Sequence, residues 1–362
     1  MARRSIASRP RLGSVLLASA LFAGPVVMQA SLVDPARAQV GPGGIQLNAD
    51  VQYGVADGQP LLMDVHLPSG GGTSRPALEL IHGGGFVGGD KADMRGVARY
   101  FASNGYVCFS IDYRFAPNYP YPAAVNDARA AVEFVRTNAP EFGVDASRIG
   151  ALGTSAGGTI AASIGAGSGA LTGESRVVAV ASWSGALDMV KVIEERPKST
   201  RRQLSAYALG TNTGDPAASP AKLERASPIT YLTRDDPPMF IANAKDELMP
   251  LDQAEDFVAK LKNLGIDYQL LTPALGHGLE YAAEAEPPTL AFLNRHLRGA
   301  STSPPTAAPV PSGPPAVAAP SGRRSNTTLL IAVIGGGLLL VGGLVVGPLI
   351  SRRRRQRSAS RY

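Results

Sequence analysis

A serine placed to act as a nucleophile lies in the segment G-T-S-A-G-G at residues 153–158. Residues 148–152 before it are apolar enough for a buried strand, and residues 159–164 after it can begin a helix. Strand, G-x-S-x-G and helix in this order are the context of a nucleophile elbow, where a strained turn lifts a serine hydroxyl clear of the sheet. The pattern predicts Ser155 as the nucleophile of an acyl transfer; a glycine-rich turn without chemistry is the alternative reading.

His277 is the histidine best placed to act as the base for that hydroxyl. A serine hydroxyl is a weak nucleophile, so it needs a base and an acid that orients the base. His277 lies between two glycines in a loop after the last predicted strand, from which its imidazole can reach across the strand ends. The other three histidines are expected on a strand surface, in a glycine run and in the last helix, respectively His66, His82 and His296.

The acid is expected between the serine and the histidine in the chain. Asp246 follows the predicted strand 239–244 by one residue, which would set it at the carboxyl end of that strand. Glu247 and Asp252 are its rivals, but Glu247 should point the opposite way from its neighbour and Asp252 should begin a helix. Asp246 is therefore predicted as the acid of a triad with Ser155 and His277.

A glycine run at residues 82–86 follows another predicted strand and could supply donors to a developing oxyanion. Glycine lets the backbone approach a substrate closely with its N–H groups free. Gly84 and Gly85 are the predicted donors, Gly83 is a weaker candidate, and the N–H of Ala156 would complete the oxyanion hole. A phosphate cradle is the competing interpretation, but no G-K-[ST] follows the run.

Strand and helix patterns alternate along most of the chain, which predicts an α/β fold. A hairpin signal at Asp57-Gly58 leads the alternation. The expected architecture is a mostly parallel sheet with helices on both faces and an N-terminal antiparallel hairpin. Residues 186–236 interrupt the alternation and are expected to be an insertion, either a small lid and substrate wall or surface helices. The catalytic domain is placed at residues 39–298.

The two ends of the chain are predicted to lie outside that domain. Residues 1–38 have the basic region, apolar stretch and A-x-A site of an export signal, by either the Sec or the twin-arginine route. Residues 299–328 are expected to be a Pro/Ala-rich linker, and the uncharged residues 329–350 a transmembrane helix. The basic residues 351–362 would then be a cytoplasmic tail. This predicts a single-pass protein of the cell membrane with its catalytic domain outside the cytoplasm.

Charge and cysteine content exclude other classes of protein. The net charge of +6 comes from arginines at the two ends, and the body between them is acidic overall. No basic patch therefore suggests a nucleic-acid partner. The single cysteine, Cys108, lies in a predicted buried strand and cannot form an internal disulfide.

Five motifs, in order, resemble those of hormone-sensitive-lipase-like esterases, and the nearest group is the bacterial carboxylesterases of the BD-FAE type. They are H-G-G-G at 82–85, D-Y-R-F-A-P at 112–117 followed by Tyr121-Pro122 and Asp127, G-T-S-A-G-G at 153–158, K-D-E-L-M-P at 245–250 with Gln253, and G-H-G at 276–278. The resemblance covers about residues 50–298. It implies an α/β-hydrolase fold and ester hydrolysis through an acyl-enzyme, with no metal or organic cofactor. It also implies that Asp112, Arg114 and Asp127 brace the elbow.

Two features depart from that family pattern. The large N-terminal cap of many such lipases is not expected, and the export signal and anchor lie outside the pattern. The resulting hypothesis is an exported, membrane-anchored serine carboxylesterase for short-chain acyl or acetyl esters, small or linked to polysaccharide. A serine peptidase of the same fold and an inactive surface-binding module are the alternatives. The sequence does not predict an oligomeric state.

Overall fold

A nine-stranded sheet forms the centre of the described residues, which are 38–40, 42–167, 173–195, 198–212 and 219–298 of a computed structural model. Along the sheet the strands lie in the order β1-β2-β3-β5-β4-β6-β7-β8-β9. The first three strands pair antiparallel, β3 also pairs antiparallel with β5, and the rest pair in parallel. The strands are β1 (Ala38–Val40), β2 (Gln46–Ala56), β3 (Gln59–Leu67), β4 (Arg75–Ile81), β5 (Val107–Ile111), β6 (Val144–Thr154), β7 (Val180–Trp183), β8 (Met239–Ala242) and β9 (Tyr268–Leu271).

Helices cover both faces of this sheet. Side chains of α1 and α8 pack into the hydrophobic core on one face, and those of α2, α3 and α7 pack into the core on the other. The inner strands are buried on both sides, which is why they are apolar throughout rather than alternating. The helices are α1 (Arg95–Ser103), α2 (Ala123–Thr137), α3 (Ala156–Gly165), α4 (Met189–Glu195), α5 (Lys198–Leu209), α6 (Pro220–Ala226), α7 (Leu251–Leu264) and α8 (Ala282–Leu297).

The N-terminal hairpin has the turn that its sequence predicts. Asp57 and Gly58 join β2 to β3, and both have positive φ angles, 50° and 76°. Two consecutive positive φ angles match the right-handed twist of the flanking strands, and Asp-Gly adopts them at low cost. The prediction of an antiparallel hairpin leading a mostly parallel sheet is therefore confirmed.

The fold class needs one correction, because it included a C-terminal transmembrane helix. Within the described ranges, every helix is too short or too polar to cross a membrane. The fold class is thus an α/β-hydrolase fold without that added helix, and the segment predicted to span, 329–350, lies outside the described residues. The export signal up to residue 37, the linker 299–328 and the tail 351–362 also lie outside them, and their roles stay predictions.

The segment between β7 and β8 is helical where the structure describes it. It holds α4, α5 and α6, followed by a 3-10 turn at Pro228–Tyr231. Leu204 and Leu223 are buried in the same core as α2 and α3, so these helices are packed onto the domain. Whether the segment acts as a lid stays a prediction.

An ion pair joins the loop after β5 to α2 through Arg114 and Asp127; that these residues brace the elbow stays a prediction. The guanidinium of Arg114 donates to Asp127 from Nε at 2.9 Å and from Nη2 at 2.7 Å. The backbone N–H of Arg114 donates to the same carboxylate at 2.9 Å. Asp127 is 2% exposed, so the pair is largely desolvated and the three donors are needed to offset that cost.

His66 differs from the expectation that it lies on the surface. It is 3% exposed, because β3 is an inner strand and α1 packs over it. Burial, together with the positive charges of Arg95 and Arg99, lowers the pKa of His66 to about 4. Alternation along the strand could not show that a helix covers this face.

Glu79 is a buried carboxyl group in the middle of β4. It is 1% exposed, and neither of its oxygens has a hydrogen-bond partner in the described part of the chain. On its two sides lie Phe109 of β5 and Ala151 of β6. Burial raises the pKa of Glu79 well above its usual 4.5, so the neutral acid is the form that this site accepts.

We expect Glu79→Met to stabilise the fold increasingly as the pH rises. The folded state keeps the Glu79 proton at a pH where the unfolded state has lost it, so Glu79 costs stability above pH 4.5. That cost grows by about 1.4 kcal/mol per pH unit until the folded pKa is reached. Urea unfolding of wild type and variant at several pH values measures the difference directly.

Glu79→Gln is the matched control for that experiment. It removes the titration but leaves a buried polar group, so its pH profile should flatten like that of Glu79→Met while its gain in stability is smaller. If the difference in free energy of unfolding between Glu79→Met and wild type stays constant between about pH 5 and about pH 8, Glu79 does not change its protonation on unfolding.

Candidate active site

Ser155 occupies a strained turn between β6 and α3. Its φ and ψ angles are 53° and −120°, a region that residues other than glycine rarely adopt. Its backbone N–H donates to the carbonyl of Trp183 at the end of β7, at 2.7 Å. The glycines around it are required by close backbone contacts: a Cβ on Gly153 would lie 2.0 Å from the Gly157 oxygen, and one on Gly157 would lie 2.0 Å from the Ile81 oxygen. The elbow geometry therefore follows from the sequence pattern.

The His277 ring lies between the serine hydroxyl and a carboxylate. Its Nε2 is 2.8 Å from Ser155 Oγ, and its Nδ1 is 2.6 Å from Glu247 Oε2. The loop after β9 that carries His277 is held by Glu280, whose carboxylate accepts from the His277 N–H at 2.9 Å. Three groups that meet in series like this can pass a proton from a hydroxyl to an imidazole while a carboxylate stabilises the positive charge.

Glu247, and not the predicted Asp246, is the carboxylate in contact with His277. The Glu247 side chain is fully buried, and its second oxygen accepts from the Ala244 N–H at 2.6 Å. Asp246 is exposed, and its backbone pairs with Leu275 in an isolated parallel bridge. That bridge continues the direction of β8 through residue 246, so the Asp246 side chain faces solvent and the next one faces inward. The prediction of Asp246 is corrected on this geometry.

The third candidate acid has a different environment. Asp252 lies in the first turn of α7, as expected, and forms an ion pair with Lys191 at 3.0 Å. No feature of the sequence alone separates Glu247 from its neighbour Asp246. The signal that does so is the pairing of residue 246 with residue 275, which depends on the tertiary structure.

The glycine run places backbone N–H groups beside the serine. Gly84, Gly85 and Ala156 line the same cavity as Ser155. Within the described residues, none of their three N–H groups donates to a protein acceptor. Gly84 and Gly85 have φ angles of 113° and 62°, and a Cβ on Gly84 would lie 1.9 Å from the Gly88 oxygen. Glycine is thus required for this loop, whereas Gly83 packs against the elbow and does not line the cavity.

His82 supports the glycine run from behind. It is fully buried, its ring stacks on Tyr113 with centroids 4.4 Å apart, and its Nδ1 is 2.6 Å from the Gly83 oxygen. The Tyr113 hydroxyl donates to the His82 carbonyl at 3.1 Å. Burial lowers the pKa of His82, which favours a neutral ring with its proton on Nδ1. His82 therefore shapes the loop and does not reach the serine.

The cavity in front of Ser155 is small, with a volume of about 300 Å³. Helix α5 forms part of its wall through Thr200, Gln203 and Leu204. The Gln203 carboxamide lies against the glycine run, since a Cβ on Gly85 would be 2.5 Å from Gln203 Cδ. The segment between β7 and β8 thus contributes to the substrate site, which the sequence left open. The remaining apolar lining comes from Phe86, Ala186, Leu248 and Met249.

Comparison with known proteins finds similarity to a family model and to named esterases. The family model described as BD-FAE matches residues 63–261. Esterase LipC of Mycobacterium tuberculosis is 31% identical over 227 residues, which are 57% of this chain and 53% of LipC. This chain therefore spans about half the length of that relative.

Two solved structures share the fold. The truncated form of a carbohydrate esterase from gut microbiota has a TM-score of 0.61 and 23% identity, over 70% of this chain and 96% of that one. A thermophilic esterase of Thermogutta terrifontis, Est2, has a TM-score of 0.57 and 23% identity, over 71% of this chain and 94% of its own. At these identities the two structures support the fold alone.

Proposed function

Because this chain belongs to the BD-FAE family, we propose that it is a serine carboxylesterase that hydrolyses short-chain acyl esters through an acyl-enzyme. The observation that carries the proposal is the hydrogen-bonded series from Ser155 through His277 to Glu247, at 2.8 Å and 2.6 Å, beside a cavity. The N–H groups of Gly84 and Gly85, which have no acceptor among the described residues, line the same cavity. A nucleophile, a base with its orienting acid and an oxyanion hole are the parts that acyl transfer needs.

Acylation begins when His277 Nε2 takes the proton of Ser155 as Oγ attacks the ester carbonyl. The carbonyl oxygen gains negative charge, which the N–H groups of Gly84, Gly85 and Ala156 stabilise. His277 then gives the proton to the departing alcohol, and the acyl group stays on Ser155. A water molecule attacks this acyl-enzyme by the same steps in deacylation. Glu247 keeps the imidazole proton on Nδ1 and stabilises the imidazolium that forms twice in each cycle.

The size of the cavity supports short acyl chains. At about 300 Å³ it lies at the lower end of the range for ligand pockets. Each methylene group that enters an apolar site gains about 0.8 kcal/mol, so kcat/KM should rise with chain length only until the cavity is full. Longer chains must leave part of their surface in water or displace the wall formed by α5.

We expect nitrophenyl esters of two to about four carbons to give the highest kcat/KM, and esters above about ten carbons to be at least tenfold slower, because the pocket cannot enclose them. A chain-length series with purified protein measures this. A preference for the longest chains would contradict the short-chain assignment.

The same preparation tested on aminoacyl arylamides separates an esterase from a peptidase, since cleavage of the amides at a comparable rate would favour the peptidase.

A further inference from the structure

Two buried hydroxyl groups hold the loop that carries His277. Ser184 directly follows β7, and its Oγ accepts from the Gly278 N–H, next to His277, at 2.8 Å. The same oxygen is 2.6 Å from the Tyr281 hydroxyl. The Tyr281 hydroxyl in turn donates to the carbonyl of Ala242, the last residue of β8, at 3.1 Å. The loop of His277 is thus joined to the ends of β7 and β8 by side chains.

The donor and the acceptor of each of these hydrogen bonds can be assigned by counting protons. Each hydroxyl has one proton to donate. Tyr281 donates to the Ala242 carbonyl, so Ser184 must donate to Tyr281, and Ser184 accepts from Gly278. The series of hydrogen bonds is therefore continuous and runs in one direction, from the Gly278 N–H to the Ala242 carbonyl. It ends at a carbonyl that also accepts from the Ser184 N–H at 2.8 Å.

The conformation of Ser184 indicates that its place is imposed by its surroundings. Ser184 is fully buried and has a φ angle of 53°, an unfavourable region for any residue except glycine. Strain of this kind persists where the surrounding structure fixes it and is frequent at functional sites. Tyr281 is 4% exposed. Its burial and the negative charge of Glu247 raise the pKa of Tyr281, so its hydroxyl stays a donor.

The chain of hydroxyls connects the two partners whose separation matters for the proposed reaction. His277 lies on the loop that Ser184 holds, and Glu247 lies on the loop that leaves β8 after Ala242. We propose that Ser184 and Tyr281 are positioning residues, which fix His277 relative to Glu247 and Ser155 and so set the rate of acyl transfer. This inference rests on the proposed esterase function.

Tyr281→Phe tests the inference, since it keeps the ring against Trp183, at a centroid distance of 6.3 Å, and removes only the hydroxyl. We expect kcat for nitrophenyl acetate to fall by about tenfold to a hundredfold while KM stays nearly constant, because small misplacements of a catalytic group have effects of that size. The far-downfield proton NMR signal of the His277 Nδ1–H should shift or broaden in the variant.

Tyr106→Phe is the matched control. Tyr106 is also fully buried and donates one hydrogen bond, to Asn294 at 3.0 Å, but it precedes β5 at the opposite end of the strands from Ser155. The two variants should lose similar thermal stability, and Tyr106→Phe should keep its kcat. If Tyr281→Phe keeps the kcat and the NMR signal of the wild type, the inference is wrong.

Ser184→Gly provides a second variant should Tyr281→Phe fold poorly. Glycine accepts the φ angle of residue 184 without strain, so this change removes the hydroxyl with little cost to the backbone. It should lower kcat in the same way, and a wild-type kcat would overturn the inference. The NMR signal does not depend on turnover. If wild-type protein shows the signal but hydrolyses no ester, the proposed function is wrong. The NMR spectra of the variants would then still decide whether Ser184 and Tyr281 position His277.

Discussion

Glu247→Gln is expected to lower kcat for short-chain esters by about 10⁴-fold, the loss typical of a triad whose acid becomes an amide. The geometry gives the reason. One Glu247 oxygen accepts from the Ala244 N–H, so the carbonyl of a glutamine must take that position. Its NH2 group then faces His277 Nδ1. Because an amide NH2 donates, Nδ1 must accept this hydrogen bond and can no longer carry the proton. The imidazole proton moves to Nε2, and His277 can no longer take the proton of Ser155.

Asp246→Asn is the matched control, because it makes the same chemical change on the adjacent residue. Asp246 is exposed, and the carboxylate bound to His277 is that of Glu247, so the kcat of Asp246→Asn should stay within about twofold of wild type, as for most surface substitutions. Steady-state kinetics of both variants on nitrophenyl acetate provide the comparison. If Asp246→Asn is the variant that loses activity, the assignment of Glu247 fails.

Ser155→Ala is expected to have the largest effect, a loss of about 10⁶-fold in kcat. No other hydroxyl lies in series with His277 and Glu247, among the residues that the structure describes. The variant should fold normally, since alanine keeps the Cβ and loses only Oγ. It should also lose covalent labelling by a fluorophosphonate, which an inactive binding module would lack from the start.

Ser163→Ala controls for the loss of a serine hydroxyl close to the elbow, in the helix that follows Ser155. Ser163 lies in α3, and its hydroxyl donates to the Thr159 carbonyl at 2.8 Å. This variant should keep both its activity and its labelling. Hydrolysis by Ser155→Ala at a rate near that of wild type would mean that another group carries the reaction.

The parts of the site that the sequence predicts well are those fixed by local sterics. Gly153 and Gly157 admit the tight backbone contacts of the elbow, and Gly84 admits the close contact with Gly88. No other residue fits these positions, so the motifs specify their own geometry. His277 could be predicted for a related reason, because glycines on both sides and a place after the last strand leave few alternative roles.

The acid could not be predicted in the same way. The choice between Asp246 and Glu247 depends on which of two adjacent side chains faces inward. That depends on β8 ending at Ala242, two residues earlier than the pattern suggests, and on the bridge between residues 246 and 275. Both are properties of the folded sheet, which the strand pattern of the sequence does not contain.

The same limit explains His66 and the wall of the cavity. His66 is buried because α1 packs over β3, a tertiary contact that a strand pattern does not contain. Helix α5 carries three basic residues and has a weak apolar periodicity, yet Gln203 and Leu204 reach the substrate cavity. The sequence predicted an insertion at residues 186–236, but it did not indicate which side chains of the insertion line the substrate cavity.

Trapping of the acyl-enzyme is the most direct test of the account. Wild-type protein mixed with nitrophenyl acetate, quenched rapidly in acid and digested should yield one acetylated peptide, with the acetyl group on Ser155. In Glu247→Gln this species should form far more slowly, and in Ser155→Ala it should be absent. An acetyl group found on another residue, or turnover without any acetylated peptide, would contradict covalent catalysis by Ser155.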